Sequence, residues 1–136
     1  MQLRHPYAFV ILYVRIALAV PYLWFVSDRL GMLGAHGQPH IGWGDWQHFM
    51  EYARDTMRFL PEGMVPFFAI TATACEFVFG VLLLIGLFTR FAAIGSGVLS
   101  LLFAISMAIS FGIESPLGYS VFAVSAASFL LAAVVP

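Results

Sequence analysis

The chain has 136 residues, of which 62 % are hydrophobic and only 10 % are charged, whereas about 25 % are charged in an ordinary soluble domain. The formal net charge is -1 and the sequence contains no lysine, which excludes the basic surface with interleaved aromatics that binds nucleic acid. Because a membrane-spanning helix needs about 20 mostly apolar residues, the chain holds roughly four or five spans at most and no separate folded domain. The single cysteine, Cys75, excludes an intramolecular disulfide and a CxxC redox motif.

The first apolar run covers residues 7–30 and is long enough to span a membrane. It contains one internal charge, Arg15, and closes on Asp28 and Arg29. A cleaved signal peptide is the alternative, with MQLRHP as its charged region and Ala17-Leu18-Ala19 as its cleavage site. Because the apolar run continues through PYLWFV beyond that site, the pattern favours a retained helix.

Residues 31–63 separate the first span from the second and are predicted to form a loop that carries a short helix. The stretch GMLGAHGQPHIGWG, residues 31–44, contains five glycines and resists regular structure. From Asp45, a residue type that caps helix N-termini, apolar side chains recur at helical spacing as far as Leu60. This pattern predicts a short amphipathic helix that lies at the membrane surface.

Three histidines of this loop, His36, His40 and His48, form with Asp45 the only group of residues with metal-ligand chemistry. Imidazole and carboxylate groups suit zinc and related ions. Their spacing matches no strong metal motif, and a loop beside a membrane also collects histidines because they keep it soluble. From the sequence, both a metal site and a solvated loop stay open.

Three further apolar runs cover residues 64–88, 91–111 and 117–136. Only Thr89 and Arg90 separate the first two, so these helices are predicted to be antiparallel neighbours. Small residues recur at every fourth position from the start of the span at residues 91–111, which predicts a packing face. They are Ala92, Ser96, Ser100, Ala104, Ala108 and Gly112. We therefore predict an all-α membrane protein, a single transmembrane domain over residues 1–136. Its form is a four-transmembrane-helix bundle with the amphipathic helix in its long first loop.

Glu76 stands in the middle of the second span, within TATACEFVFG, among residues suited to lipid. An ionised group at the centre of a bilayer costs about 2.5–3.5 kcal/mol on insertion scales, so Glu76 must face protein or water, be paired, or hold a proton. Arg15 is the predicted partner, because in an antiparallel bundle the two residues lie about 6 Å apart along the helix axis. Such a pair is either a structural ion pair that fixes the register of the two helices or a proton-relay site.

Two further residues are candidates for binding a ligand beside Glu76. Thr73 lies on the flank of Glu76, one helical turn away, and Tyr22 in the first span offers a hydroxyl and a ring face. Ala72 and Gly80 are small, so they leave space near the carboxylate. That space suits a neighbouring helix or a small ligand head group equally well.

The stretch CEFVFGVLLLIGLFTRFAA, residues 75–93, resembles the signature of the DoxX family of small bacterial and archaeal membrane proteins. It has a glutamate, a glycine four residues on, an apolar run with a second glycine and a short turn with arginine. VRIALAV, with Arg15, resembles the family's first-helix motif, and Arg29 falls where a basic residue commonly closes that helix.

The resemblance covers residues 12–110 and implies a four-helix membrane protein. It also implies a link, known in several members, to quinone-coupled sulfur oxidation or to oxidoreductase complexes. Arg15, Arg29, Glu76 and Arg90 match the family's polar pattern. On this resemblance Arg29 and Arg90 join Thr73 and Tyr22 as candidate ligand-binding residues.

Three functional hypotheses follow. The first is a non-catalytic membrane subunit or accessory factor of a quinone-linked redox complex, since the spans contain no haem-ligand pair, cysteine pair or nucleotide loop. The second is a quinone site, and so a quinone-linked oxidoreductase, with Glu76 as proton acceptor and Arg15 beside it. The third is a module that binds a lipid or solute or assists membrane-protein assembly. The expected partners are membrane lipids and either other complex subunits or further copies of the chain. The expected location is a prokaryotic cytoplasmic membrane.

Overall fold

A computed structural model describes residues 6–136 and shows an all-helical protein. Over this range there are six α-helices and no strand. The helices are α1 (Ala8–Arg29), α2 (Trp46–Thr56), α3 (Val65–Ile85), α4 (Thr89–Phe111), α5 (Glu114–Gly118) and α6 (Val121–Val134), with a 3-10 turn at Glu62–Met64 leading into α3. The signal-peptide alternative rests partly on residues 1–5, which lie outside the described range.

Three helical segments are long and apolar enough to cross a membrane: Ala8–Arg29, Glu62–Ile85 and Thr89–Phe111. They correspond to the first three predicted spans. The fourth predicted span, residues 117–136, is interrupted between α5 and α6, where Ser120 has a φ of +57°. The 14 residues of α6 extend about 21 Å, which is less than the roughly 30 Å of a hydrocarbon core.

The four longest helices form a closed ring of neighbours. Helix α1 packs on α3, α3 on α4, α4 on α6, and α6 back on α1. The core between them combines alanines with larger aliphatic side chains, and Ala19, Leu83, Ala92 and Ala93 are fully buried. Small side chains allow the close backbone approach that holds helices together in lipid.

The small-residue face predicted on α4 is confirmed along most of its length. Ala92, Ser96, Ser100 and Ala104 are all buried. Ser96 Oγ lies 2.8 Å from Ser128 Oγ of α6, so the stripe joins α4 to α6 through hydroxyl groups as well as through close packing.

Helix α3 ends at Gly86, whose φ of +77° is readily adopted only by glycine. Arg15 of α1 reaches this end, since its Nε donates to Leu83 O at 3.0 Å and its Nη2 to Leu84 O at 3.2 Å. A cation at a helix C-terminus also meets the negative end of the helix dipole. Arg15 therefore ties the first half of α1 to the last turn of α3.

The predicted helix after Asp45 is present as α2. Asp45 caps it by accepting a hydrogen bond from His48 N at 2.8 Å, and the hydrogen bonds from the His48 backbone and side chain lower the pKa of Asp45. Phe49, Met50 and Ala53 form its buried face, which packs against the first turns of α3. The N-terminal end of α3 is thus covered by α2.

Candidate functional site

Glu76 of α3 pairs with Arg29, the last residue of α1. Arg29 Nη1 lies 2.7 Å from Glu76 Oε2, and the two side chains are only 3 % and 6 % exposed. The same Nη1 donates a hydrogen bond to Thr73 Oγ1 at 2.8 Å, and the Thr73 hydroxyl donates to Ala69 O, also at 2.8 Å. A buried carboxylate, a guanidinium and a hydroxyl therefore meet at the junction of α1 and α3.

Two aromatic rings cover the other side of the guanidinium. Arg29 Cζ lies 3.9 Å from the centroid of the Phe49 ring and 5.0 Å from that of Trp43. Both distances are within the range of cation–π attraction, which strengthens when the cation is removed from water. The positive charge of Arg29 is thus balanced by Glu76 on one side and by ring faces from the loop and α2 on the other.

Two polar atoms of the pair keep unused hydrogen-bonding capacity. Within residues 6–136, neither Arg29 Nε nor Glu76 Oε2 has a hydrogen-bond partner, although both are buried. The 2.7 Å contact between Nη1 and Oε2 is thus a close ion pair without a well-directed hydrogen bond. Arginine stays protonated in proteins, whereas a carboxylate can take up and release a proton. Glu76 is the group of this pair that can exchange a proton.

Asp28, next to Arg29, holds the glycine-rich loop over the site. Its Oδ2 accepts hydrogen bonds from Gly42 N at 2.9 Å and Trp43 N at 3.2 Å, and its Oδ1 accepts one from Gly44 N at 2.9 Å. The side chain is buried, with 2 % exposure. Gly44 has a φ of +82°, a conformation that glycine adopts at no steric cost. This Asp28 clamp fixes Trp43 against Arg29.

An apolar groove of about 390 Å³ lies beside the ion pair and opens at the protein surface. Thr73 is its only lining residue with a side-chain hydroxyl or charge. The groove is lined by Val26 and Leu30 of α1, Trp46 of α2, and Ile70, Thr73, Ala74 and Phe77 of α3. Because Thr73 also accepts a hydrogen bond from Arg29, this one lining residue connects the groove to the buried ion pair, whose own two residues do not line the groove.

A model of the DoxX family matches residues 10–110, well over half of the chain. The chain belongs to the DoxX family. No curated protein and no solved structure gives a significant match. Family membership and three helices long and apolar enough to cross a bilayer make this an integral membrane protein.

In this DoxX-family chain the predicted partner of Glu76 is corrected from Arg15 to Arg29. Arg15 is level with Leu83 and Leu84, at least seven residues along α3 from Glu76, which is about 10 Å at helical rise. The prediction placed the ends of the two helices flush. In the structure α3 extends past the end of α1, where α2 covers its first turns, and Glu76 lies beside the last turn of α1.

The other predicted ligand-binding residues lie in three different places in the structure. Thr73 joins Arg29 in the site. Tyr22 is buried, and its hydroxyl lies 2.7 Å from Ser96 Oγ and 2.8 Å from Ser100 Oγ, so it links α1 to α4. Arg90 is exposed in the first turn of α4 and is not brought to the ion pair.

The space beside Glu76 that the sequence left open is occupied by a neighbouring helix at Gly80. A Cβ atom added there would lie 3.0 Å from Leu23 Cγ and 3.3 Å from Tyr22 Cβ. Helix α1 therefore packs directly against this glycine.

The histidines do not assemble the predicted metal site. The rings of His36 and His48 stack at 3.5 Å, His36 Nδ1 hydrogen-bonds Trp43 O at 2.8 Å, and His48 Nδ1 lies 2.9 Å from Asp45 Oδ1. Within residues 6–136 no group of three or more His, Cys, Asp and Glu side chains is arranged to hold a metal. His36 and His48 instead contact each other and the loop that carries Trp43, whereas His40 is exposed.

Sequence reasoning missed the Asp28 clamp and the aromatic cover. The signal available was an adjacent acid and base, Asp28 and Arg29, at a helix end, followed by the Gly-Trp-Gly stretch of residues 42–44. Consecutive glycine-flanked amides form a concave donor surface that suits a carboxylate. Nothing in the local pattern indicated which acid they would bind.

Proposed function

We propose that this DoxX-family protein is a membrane subunit of a quinone-linked redox complex and that it binds the quinone in the groove between α1 and α3. One observation carries the proposal. Thr73 both lines the apolar groove and accepts a hydrogen bond from Arg29, which is paired with the buried Glu76. An apolar groove with one hydroxyl that is hydrogen-bonded to a buried ionisable pair suits a ligand with an apolar body and a polar head.

The residues present fit a quinone. Its ring and isoprenoid tail suit the apolar lining, and its carbonyl oxygens accept hydrogen bonds, for which Arg29 Nε is a buried donor without a partner in residues 6–136. A bound quinone supplies two-electron, two-proton chemistry, with the electrons delivered by a partner subunit. In this proposal Arg29 and Thr73 orient the head group, Glu76 holds the proton, and the Trp43 and Phe49 rings exclude water.

Binding is tested by titrating the protein in lipid nanodiscs with a short-chain quinone and following tryptophan fluorescence, because Trp46 lines the groove. Ala74→Phe fills the groove from an exposed position on α3. We expect it to weaken quinone binding roughly tenfold or more, as a lost apolar site would. Ala123→Phe, at an exposed position of α6, is the matched control and retains wild-type affinity. Equal binding by both variants would contradict a quinone site in this groove.

The proton role is tested separately with Glu76→Gln, which keeps the size of the side chain and removes its charge. Membranes containing the variant and its partner subunits are expected to bind quinone but to lose roughly a hundredfold in quinone-linked turnover, the range for removal of a general acid or base. Wild-type turnover in this variant would leave Glu76 with a structural role only. Mass spectrometry of the wild-type complex purified in mild detergent identifies the partner subunits.

We also propose four membrane crossings, with α5 and α6 together forming the fourth and α2 lying at the surface of a prokaryotic cytoplasmic membrane. In support, α6 packs along α4 through Ser128 and through Ser125 Oγ, which donates to Gly97 O at 2.7 Å. A helix broken within a bilayer is tolerated where its freed backbone groups are covered by protein.

A further inference from the structure

A second cavity, of about 270 Å³, lies away from the ion pair, where α2 ends and the chain enters α3. Its charged lining residues are two arginines, Arg54 and Arg58, and one glutamate, Glu62. Its apolar lining residues are Met57, Leu60 and Val65. The cavity thus combines two positive charges, one negative charge and an apolar side.

The three charges do not neutralise one another within the protein. No ion pair involves Arg54, Arg58 or Glu62 among the residues that the structure describes. Arg58 is held in place, since its Nε donates to Asp55 O at 3.1 Å and its guanidinium lies 5.4 Å from the centroid of the Phe111 ring. Its terminal nitrogens, like the guanidinium of Arg54, have no carboxylate partner there.

The cavity lies at one end of a membrane-spanning segment. The apolar segment Glu62–Ile85 begins at the cavity itself, so the lining residues are placed where lipid head groups meet the protein. Arginines at this depth attract the phosphates of phospholipids. The apolar residues beside them suit the glycerol and the upper acyl carbons, which a free phosphate ion does not have.

We propose that this cavity binds one phosphatidylethanolamine head group, with Arg54 and Arg58 on the phosphate and Glu62 on the ammonium. The charge pattern decides the head group. Two cations and one anion complement a phosphate joined to an ammonium, whereas in phosphatidylglycerol Glu62 would meet only neutral hydroxyl groups and no positive charge. The methylated ammonium of phosphatidylcholine has no N–H to donate to a carboxylate. This lipid site is independent of the quinone groove.

The test is native mass spectrometry of the full chain in detergent, after addition of an equimolar mixture of phosphatidylethanolamine, phosphatidylglycerol and phosphatidylcholine with identical acyl chains. The wild-type protein is expected to retain phosphatidylethanolamine about fivefold over either competitor, and excess inorganic phosphate does not displace it. Arg54→Gln/Arg58→Gln lowers its retention roughly tenfold, as expected for two lost arginine contacts with a phosphate.

Glu62→Gln separates the two halves of the site. It is expected to keep bound lipid while losing the preference for phosphatidylethanolamine over phosphatidylglycerol. Arg90→Gln, which removes an exposed arginine from α4, controls for net charge and retains wild-type selectivity. Equal retention of the three lipids by the wild-type protein, displacement by free phosphate, or the same loss in Arg90→Gln as in the double variant would each overturn the proposal.

Discussion

At the scale of single residues, the buried pair of Arg29 and Glu76 is the main polar interaction between α1 and α3. Removing one partner of such a pair leaves the other charge buried and uncompensated, which costs about 3–5 kcal/mol. We therefore expect Arg29→Gln to lower the free energy of unfolding by about that amount. The variant Arg29→Gln/Glu76→Gln should be more stable than the sum of the single changes by about 2 kcal/mol. The free energy of unfolding of the wild-type protein, the two single variants and the double variant is measured by SDS titration in mixed micelles, followed by circular dichroism.

Arg15 provides the matched control for this double-mutant cycle of Arg29 and Glu76, because it is the other arginine of α1. Its hydrogen bonds to Leu83 O and Leu84 O do not involve Glu76. Arg15→Gln is expected to destabilise the protein, and its effect should add to that of Glu76→Gln within about 0.5 kcal/mol. Strong coupling of Glu76 to Arg15 and none to Arg29 would show that the pair in the structure is wrong.

The residues of the site were only partly predictable from the sequence. A carboxylate in the middle of an apolar run can be recognised as a candidate site from the sequence, because a buried charge needs a partner, water or a proton. Which arginine compensates it depends on the relative height of α1 and α3. The first turns of α3, which extend past the end of α1, pack against α2 through Val65 and Ala69, a contact between distant parts of the chain that local patterns do not reveal.

At the scale of elements, the loop between α1 and α2 is ordered by the Asp28 clamp. Asp28→Asn keeps the size of the side chain but leaves one acceptor oxygen for three backbone N–H groups. Hydrogen bonds to charged groups contribute about 1.5–3 kcal/mol each, so exchange of the amides of residues 42–44 should accelerate roughly tenfold to a hundredfold. Hydrogen–deuterium exchange with mass spectrometry measures this rate.

The control for the clamp is Asp55→Asn, which removes an exposed carboxylate from α2. It should leave the exchange of residues 42–44 unchanged. If Asp28→Asn also left it unchanged, the loop would be held by its aromatic contacts, such as the edge contact of Trp43 with Phe49 at 5.0 Å.

The helices themselves were predictable to different degrees. Helices α1, α3 and α4 follow from long apolar runs that end at charged residues or glycine, and α2 follows from helical spacing after its Asp45 cap. The break before α6 was not predicted, because YSVFAVSAASFLLAAVV contains no glycine, proline or charged residue and nothing in that composition marks Ser120 as a left-handed residue.

At the scale of the whole molecule, a fourth crossing by α5 and α6 determines which helix ends lie on the same side of the membrane. Helix α6 packs on α4 through the buried Ser125 and Ser128, as a neighbouring span does in lipid. If they complete a fourth crossing, residues 32 and 113 lie on one side of the membrane and residues 87 and 134 on the other. With three crossings, residue 134 lies on the same side as residue 113.

Single cysteines distinguish these two arrangements when Cys75 is replaced by serine. Met32, Leu87, Ile113 and Val134 are exposed side chains at the ends of the helices, so cysteines there are accessible to a membrane-impermeant maleimide. We expect Met32→Cys and Ile113→Cys to share one labelling pattern in intact cells, and Leu87→Cys and Val134→Cys to share the opposite one. Labelling of Val134→Cys together with Ile113→Cys would instead show that the last helix folds back at the membrane surface. In that arrangement Ser125 and Ser128 would lose their contacts with Gly97 and Ser96, which lie near the other end of α4, and the protein would contain only three spans.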